Sequence, residues 1–194
     1  MQKPPDTNSV YLYEIMQRIQ QHVADEDALR RLYTALAGEL GSFAFMYLKD
    51  EAVAAEMVND VFLKLWYKRH QLHEIKNVKS YLFRAVKNAS LNRLEVKDHQ
   101  HWEFLEQADT SQLEFSPDPE LLLITAEMRR MVEKEVNALP NRCKIIFKLI
   151  REEGMKYQEV ATILDISVKT VEAQMLIATK RIGSLFRLTT RPKH

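Results

Sequence analysis

The stretch Lys156-Tyr157-Gln158-Glu159-Val160-Ala161-Thr162-Ile163-Leu164-Asp165-Ile166-Ser167-Val168-Lys169-Thr170-Val171-Glu172-Ala173-Gln174-Met175, continued by Leu176 through Ile182, reads as two helices joined by a tight turn. Val160, Ala161 and Leu164 form the inner face of a short first helix, and Ala161 is small where a second helix must cross closely. Asp165 stands where such a turn needs left-handed backbone, a conformation Gly adopts freely and Asp at modest cost. Ser167 then supplies an N-cap oxygen, and Val168, Val171, Met175, Ala178 and Ile182 recur at alternating steps of three and four, the inner stripe of an amphipathic helix. Lys169, Thr170, Glu172, Ala173, Gln174, Ile177, Lys180 and Arg181 are left outside and, with Ser167 at the helix start, form a face suited to a major groove. A generic helical corner is the plainer alternative. Cap, small residue, turn residue and inward stripe together favour a DNA-reading helix-turn-helix.

Only 4 glycines in 194 residues, and few strand-like alternations, point to an all-α protein long enough for one large domain or two small ones. The single cysteine, Cys143, lies in an apolar run with Ile145, Ile146, Phe147, Leu149 and Ile150, as expected for a buried thiol in a reducing compartment. The N-terminus carries no apolar signal-peptide core, and no stretch approaches the roughly 18 apolar residues of a membrane span. A cytoplasmic chain without membrane insertion is therefore expected.

The formal net charge of +1 conceals a partition along the chain. Residues 1–63 hold 5 basic and 10 acidic side chains, and residues 64–93 hold 8 basic against Glu74 alone. Residues 94–128 hold Lys97 against 9 acidic side chains, and residues 129–194 hold 14 basic and 7 acidic. Two basic blocks separated by an acidic one suggest two phosphate-binding surfaces, although a charge run is often just a solvated face.

Periodicity places helices near 10–22, 26–48, 50–70, 77–97, 120–138, 141–153, 157–164 and 168–187. Pro140 opens one of them, at a position where its missing N–H costs nothing, and Gly154 closes it. Residues 98–119, ending Phe115-Ser116-Pro117-Asp118-Pro119, have no sustained period and form a flexible acidic linker. The expected organisation is two small helical bundles, over 10–97 and 120–188, with the helix-turn-helix in the second.

On the helix near 50–70, Ala54, Met57, Val58, Val61, Phe62 and Leu65 make an ordinary buried stripe, which Leu63 and Trp66 widen. Either this helix is covered on most sides or part of it docks on a partner. On the next helix, Ser80 is a candidate cap, Leu82, Ala85, Val86, Ala89 and Leu94 face inward, and Lys79, Arg84, Lys87, Asn88, Asn92 and Arg93 are left polar. Cations and amides near Trp66, Tyr81 and Phe83 suit an unpaired strand, whose bases need stacking planes and whose phosphates need cations. Tyr81 and Phe83 are nevertheless expected in the core, the commoner place for an aromatic at helical spacing. His70/His73 and His99/His101 lack further clustered ligands, and there is no glycine-rich nucleotide loop, so neither metal nor cofactor is expected.

Ala55-Glu56-Met57-Val58-Asn59-Asp60-Val61-Phe62-Leu63-Lys64-Leu65-Trp66 resembles the polymerase-clamp-binding helix of extracytoplasmic-function (ECF) sigma factors of the sigma-70 superfamily. Val78 through Asn92 resembles the adjoining promoter-melting segment, with Tyr81-Leu82 where the family usually has Trp-Leu. Leu139-Pro140-Asn141-Arg142, Ile145-Ile146-Phe147 and the helix-turn-helix resemble its C-terminal domain. The resemblance implies core RNA polymerase and promoter DNA as partners, and an anti-sigma factor, in many members membrane-anchored. It places Asp60, Val61, Phe62, Leu65 and Trp66 at the clamp, and Lys76, Lys79, Ser80, Arg84, Lys87, Asn88 and Asn92 at the minus-ten strand, Asn88 beside a flipped base. Ser167, Lys169, Thr170, Glu172, Ala173, Gln174, Ile177, Lys180 and Arg181 then face the minus-thirty-five element. Asn92 and Glu95 stand where many members have Asp and Arg. Gln174 and Ile177 replace a frequent Arg, so contacts with adenine and a thymine methyl are expected there instead of guanine readout. Such a protein binds and does not catalyse. A two-domain helix-turn-helix regulator acting on duplex DNA alone is the alternative, and an enzyme acting on nucleic acid would need a carboxylate cluster or a nucleophile that the sequence does not offer.

Overall fold

In the computed structural model the described residues are 14, 15, 18, 26–95 and 126–189, all helical apart from caps and turns. The expected helix near 10–22 is described only at Glu14, Ile15 and Arg18, and the linker 98–119 lies outside the described residues. The helices divide into two compact units.

The first unit contains α1 (Glu26–Leu48), α2 (Glu51–Tyr67) and α3 (Val78–Glu95), with a 3-10 helix over Arg69–Glu74. Helix α1 opens on Glu26 and Asp27, which suit the positive end of the helix dipole and reach Arg30 and Arg31 one turn on, at 3.7 and 2.9 Å. Its buried stripe runs Ala28, Leu29, Leu32, Leu36, Leu40, Phe43, Ala44 and Tyr47. The corner to α2 takes two residues. Lys49 turns left-handed at φ 58°, and the Asp50 carboxylate accepts from the N–H groups of Ala52 and Val53 at 2.9 and 3.1 Å.

Helix α2 stops at Tyr67, three residues before its expected end. The Lys68 N–H is shared between the carbonyls of Lys64 and Leu65, both at 3.1 Å, and the chain tightens into the 3-10 turn that sinks Leu72 into the core. Helix α3 is capped by Asn77, whose Oδ1 accepts from the Ser80 N–H at 2.9 Å, so Ser80 is not the cap. Val78, Leu82, Phe83 and Val86 are buried, and Phe83 meets Phe43 edge-on at 5.0 Å. Phe83 is thus core as expected, whereas Tyr81 is exposed. Ala85, Ala89 and Leu94 are only half-buried, while Ser90, not expected inside, is fully buried.

The second unit contains α4 (Ala126–Asn137), α5 (Asn141–Arg151), the greater part of α6 (Tyr157–Leu164) and α7 (Val168–Thr189). Pro140 sits at the N-cap of α5, with ψ 145° directing the chain into the helix. After α5, Gly154 takes φ 66° and lets the Met155 N–H return to the Leu149 carbonyl at 3.0 Å. Helix α6 begins where the Glu159 carboxylate accepts from the Lys156 N–H at 2.7 Å. It ends at Asp165 in the left-handed conformation, φ 61°, with the Ile166 N–H returning to the Ala161 carbonyl at 3.0 Å. Leu139, Cys143, Ile145, Ile146, Leu149, Val160, Ala161, Val171, Met175 and Ala178 are among the buried residues of this unit.

Candidate nucleic-acid and polymerase surfaces

The turn Asp165-Ile166-Ser167 joins α6 to α7. Ser167 Oγ accepts from the Thr170 N–H at 3.0 Å and lies 2.8 Å from Thr170 Oγ1, so both hydroxyls serve the start of the helix. Val171, Met175 and Ala178 are buried beneath it, while Val168 and Ile182 are half-buried. Lys169, Glu172 and Arg181 stand exposed on the outer side, and Ala173, Gln174 and Lys180 are half-buried. Ile177 is only partly outward, half-buried where one side of it packs against the cluster of Leu139, Cys143 and Ala178. Arg181 Nε lies 3.4 Å from Glu135 Oε2 on α4.

Cys143 fastens α5 to the middle of α7 by donating its thiol hydrogen to the Gln174 carbonyl at 3.2 Å. Burial pushes this thiol up to about 11, against smaller lowering effects from the Ala178 backbone and the Arg181 charge. A thiol that stays protonated in the fold but ionises near 9 once unfolded holds the fold fully below that pH and loses its contribution as pH rises towards 11. Unfolding followed between pH 8.5 and 11 is expected to show a decline that Cys143→Ala flattens. An equal decline in the variant assigns it to other groups.

On α3, Lys76 before the helix and Arg84, Asn88 and Asn92 within it are exposed. Lys79 is partly covered, its Nζ 2.9 Å from Glu39 Oε2 of α1 and 5.8 Å from the centroid of the Phe83 ring. Ser80 is half-buried, with its hydroxyl oxygen sealed from solvent. Lys87 corrects the expected outward row: it is only 6% exposed, because its position falls beside the buried Phe83, Val86 and Ser90. The exposed polar row of α3 is therefore Arg84, Asn88, Asn92 and Arg93.

On α2, Val61, Phe62 and Leu65 are buried, at 4, 9 and 2% exposure, and so support the helix from inside. Phe62 meets Tyr33 of α1 edge-on at 5.0 Å, and the Tyr33 hydroxyl donates to Asn59 Oδ1 at 2.9 Å. Trp66 is half-buried under Arg69, whose guanidinium lies 4.5 Å from the ring centroid and donates to the Trp66 carbonyl at 3.1 Å. The outward side presents Asp60 together with Leu63 and Tyr67, 51 and 74% exposed. Positions 60, 63 and 67 are stacked at steps of three and four, a register that periodicity alone could have revealed.

Two family models match the chain in this order: sigma-70 region 2 over residues 32–99, and sigma-70 region 4 over residues 129–182. The chain belongs to the ECF branch of the sigma-70 family. This sigma factor is 26% identical over 154 residues to the Xanthomonas campestris protein named "Probable RNA polymerase sigma factor RfaY", a match spanning 77% of this chain and 38% of that one. It is 22% identical over 177 residues to the ECF RNA polymerase sigma-E factor of Escherichia coli K12, spanning 88% of this chain and 91% of that one. Its fold resembles CnrH, solved with the cytosolic domain of CnrY, at TM-score 0.53 and 18% identity over 90% of this chain and 96% of that one. It also resembles the sigma factor RpoE of Bartonella quintana, solved with the anti-sigma factor NepR, at TM-score 0.55 and 18% identity over 84 and 98%. Among the described residues this sigma factor has no cluster of metal-ligating side chains and no helix long and apolar enough to cross a membrane.

Proposed function

We propose that this sigma factor confers promoter choice on core RNA polymerase by dividing the task between its two bundles. The observation that carries the reading is the pairing, in one chain, of a region 2 bundle whose α2 displays Asp60, Leu63 and Tyr67 outward with a region 4 helix-turn-helix whose α7 displays Lys169, Glu172 and Arg181. Residues 10–97 form the polymerase-binding and minus-ten domain, 98–119 the linker, and 120–188 the minus-thirty-five domain. An apolar pair beside one carboxylate on a rigid helix has the composition of an interface centre with a polar rim. The buried Val61, Phe62 and Leu65 set its pitch.

Arg84, Asn88 and Asn92 on α3, with Lys76, Lys79 and Ser80 at its start, meet the opened minus-ten strand, their cations taking phosphates and their amides base edges. On α7, Lys169, Lys180 and Arg181 hold phosphates, Ser167 and Thr170 position the helix start, and Ala173, Gln174 and Ile177 approach base edges, with Glu172 beside them. The chain acts by binding alone, in the cytoplasm where polymerase supplies the chemistry, and an anti-sigma factor is its restraining partner.

Run-off transcription with purified core polymerase tests this directly. The chain is expected to enable initiation from specific promoters that core polymerase alone ignores, and Gln174→Ala is expected to relax preference at one minus-thirty-five base by about 1–3 kcal/mol, roughly 5- to 150-fold. Specific duplex binding without any complex with core polymerase would instead favour the two-domain regulator.

A further inference from the structure

The fold returns negative charge to the basic block of residues 64–93. Glu39, fourteen residues into α1, brings Oε2 to 2.9 Å from Lys79 Nζ, with the two side chains only 27 and 23% exposed. This is a charge contact rather than a directed hydrogen bond, since Glu39 Oε2 is sealed from solvent without one. Glu56 approaches Arg93 at 3.8 Å and Glu135 approaches Arg181 at 3.4 Å, but those pairs are more exposed, and exposed pairs contribute little.

We propose that Glu39 is a specificity-determining residue for strand binding, an internal phosphate mimic that occupies Lys79 until a backbone phosphate displaces it. A carboxylate and a phosphate offer an ammonium the same ligand, an anionic oxygen at about 2.8 Å. Lys79 carries a compact charge on a flexible stem and exchanges one for the other by rotation. Any single strand must therefore outcompete Glu39 for Lys79. A strand that also makes base contacts with α3 supplies the difference, whereas a strand offering only phosphates does not. Glu39 thus lowers sequence-independent affinity and widens the gap to the right sequence.

The proposal rests on the reading of α3 as a strand-binding face, and the test separates the two. The full-length protein is titrated against a labelled single-stranded oligodeoxynucleotide of mixed sequence by fluorescence anisotropy over a series of KCl concentrations. In the parent, Glu39 left behind by Lys79 recruits a cation and cancels part of the counter-ion release. Glu39→Gln removes that cancellation, so affinity is expected to rise about fivefold, the size of one partly exposed ion pair, and the salt slope to steepen by about 0.7. Glu39→Asp, which keeps the charge but shortens the reach, falls between and also serves if the Gln variant folds poorly. Adding Lys79→Met must abolish the whole gain. Unchanged affinity and slope in Glu39→Gln, or a gain that survives Lys79→Met, overturns the role of Glu39. Arg84→Ala is the control on the face itself: if it leaves strand binding intact, the reading of α3 fails whatever Glu39 does.

Discussion

Leu63→Glu combined with Tyr67→Glu is expected to cut affinity for core RNA polymerase at least a hundredfold while leaving the folded chain nearly as stable as before. Both side chains are exposed, so placing carboxylates there costs the fold within about 0.5 kcal/mol. At an interface centre each truncation is worth about 2 kcal/mol or more, and a buried, unpaired carboxylate adds to the loss. Phe62→Ala contrasts with it, because Phe62 is 9% exposed and touches Tyr33, so its loss acts on the bundle first. Polymerase pull-down beside thermal unfolding separates the two. Wild-type affinity in the double variant would place the clamp contact on another face of α2.

Phe83→Ala is expected to remove about 3–5 kcal/mol from the first unit, the range for deleting a buried aromatic ring and leaving a cavity. Phe83 is fully buried, meets Phe43 at 5.0 Å, and lies under the Lys79–Glu39 pair. A unit of some 70 residues has a total stability of only about 4–10 kcal/mol. Urea unfolding should therefore show the midpoint of the first unit lowered sharply, by a loss of about a third of its stability or more. A destabilisation below about 1.5 kcal/mol would mean that neighbours collapse into the space.

The helical bounds read from the sequence agree with the structure where a local signal marks them. Helix α6 ends at Asp165 because the left-handed turn is a one-residue event with its own chemistry, and Ser167 caps α7 for the same reason. The end of α2 carries no such signal, because nothing in Tyr67-Lys68-Arg69 forbids another turn, and the 3-10 tightening there accompanies the burial of Leu72. Amphipathic periodicity separates the two sides of α2 but ranks Phe62 and Leu63 alike, and packing by α1 and α3 buries the first and exposes the second. The linear charge count overstates the first basic surface in two ways. Lys87 is turned inward, and Glu39 and Glu56 arrive from helices outside the block. Tertiary contacts decide both, and no window along the chain contains them.

Ile177 carries a consequence for how promoter preference changes over generations. One flank of its side chain is held by Leu139, Cys143 and Ala178, and the other remains partly open on α7. On the proposed reading of α7, a substitution there alters a base-facing position and a core position together, so drift towards a polar reader is resisted by the cost of burying an unsatisfied group. Ala173 and Gln174 are not members of that cluster and evolve under less coupling. New binding preferences in this lineage should therefore accumulate first at those two neighbours, with Ile177 the last of the three to change.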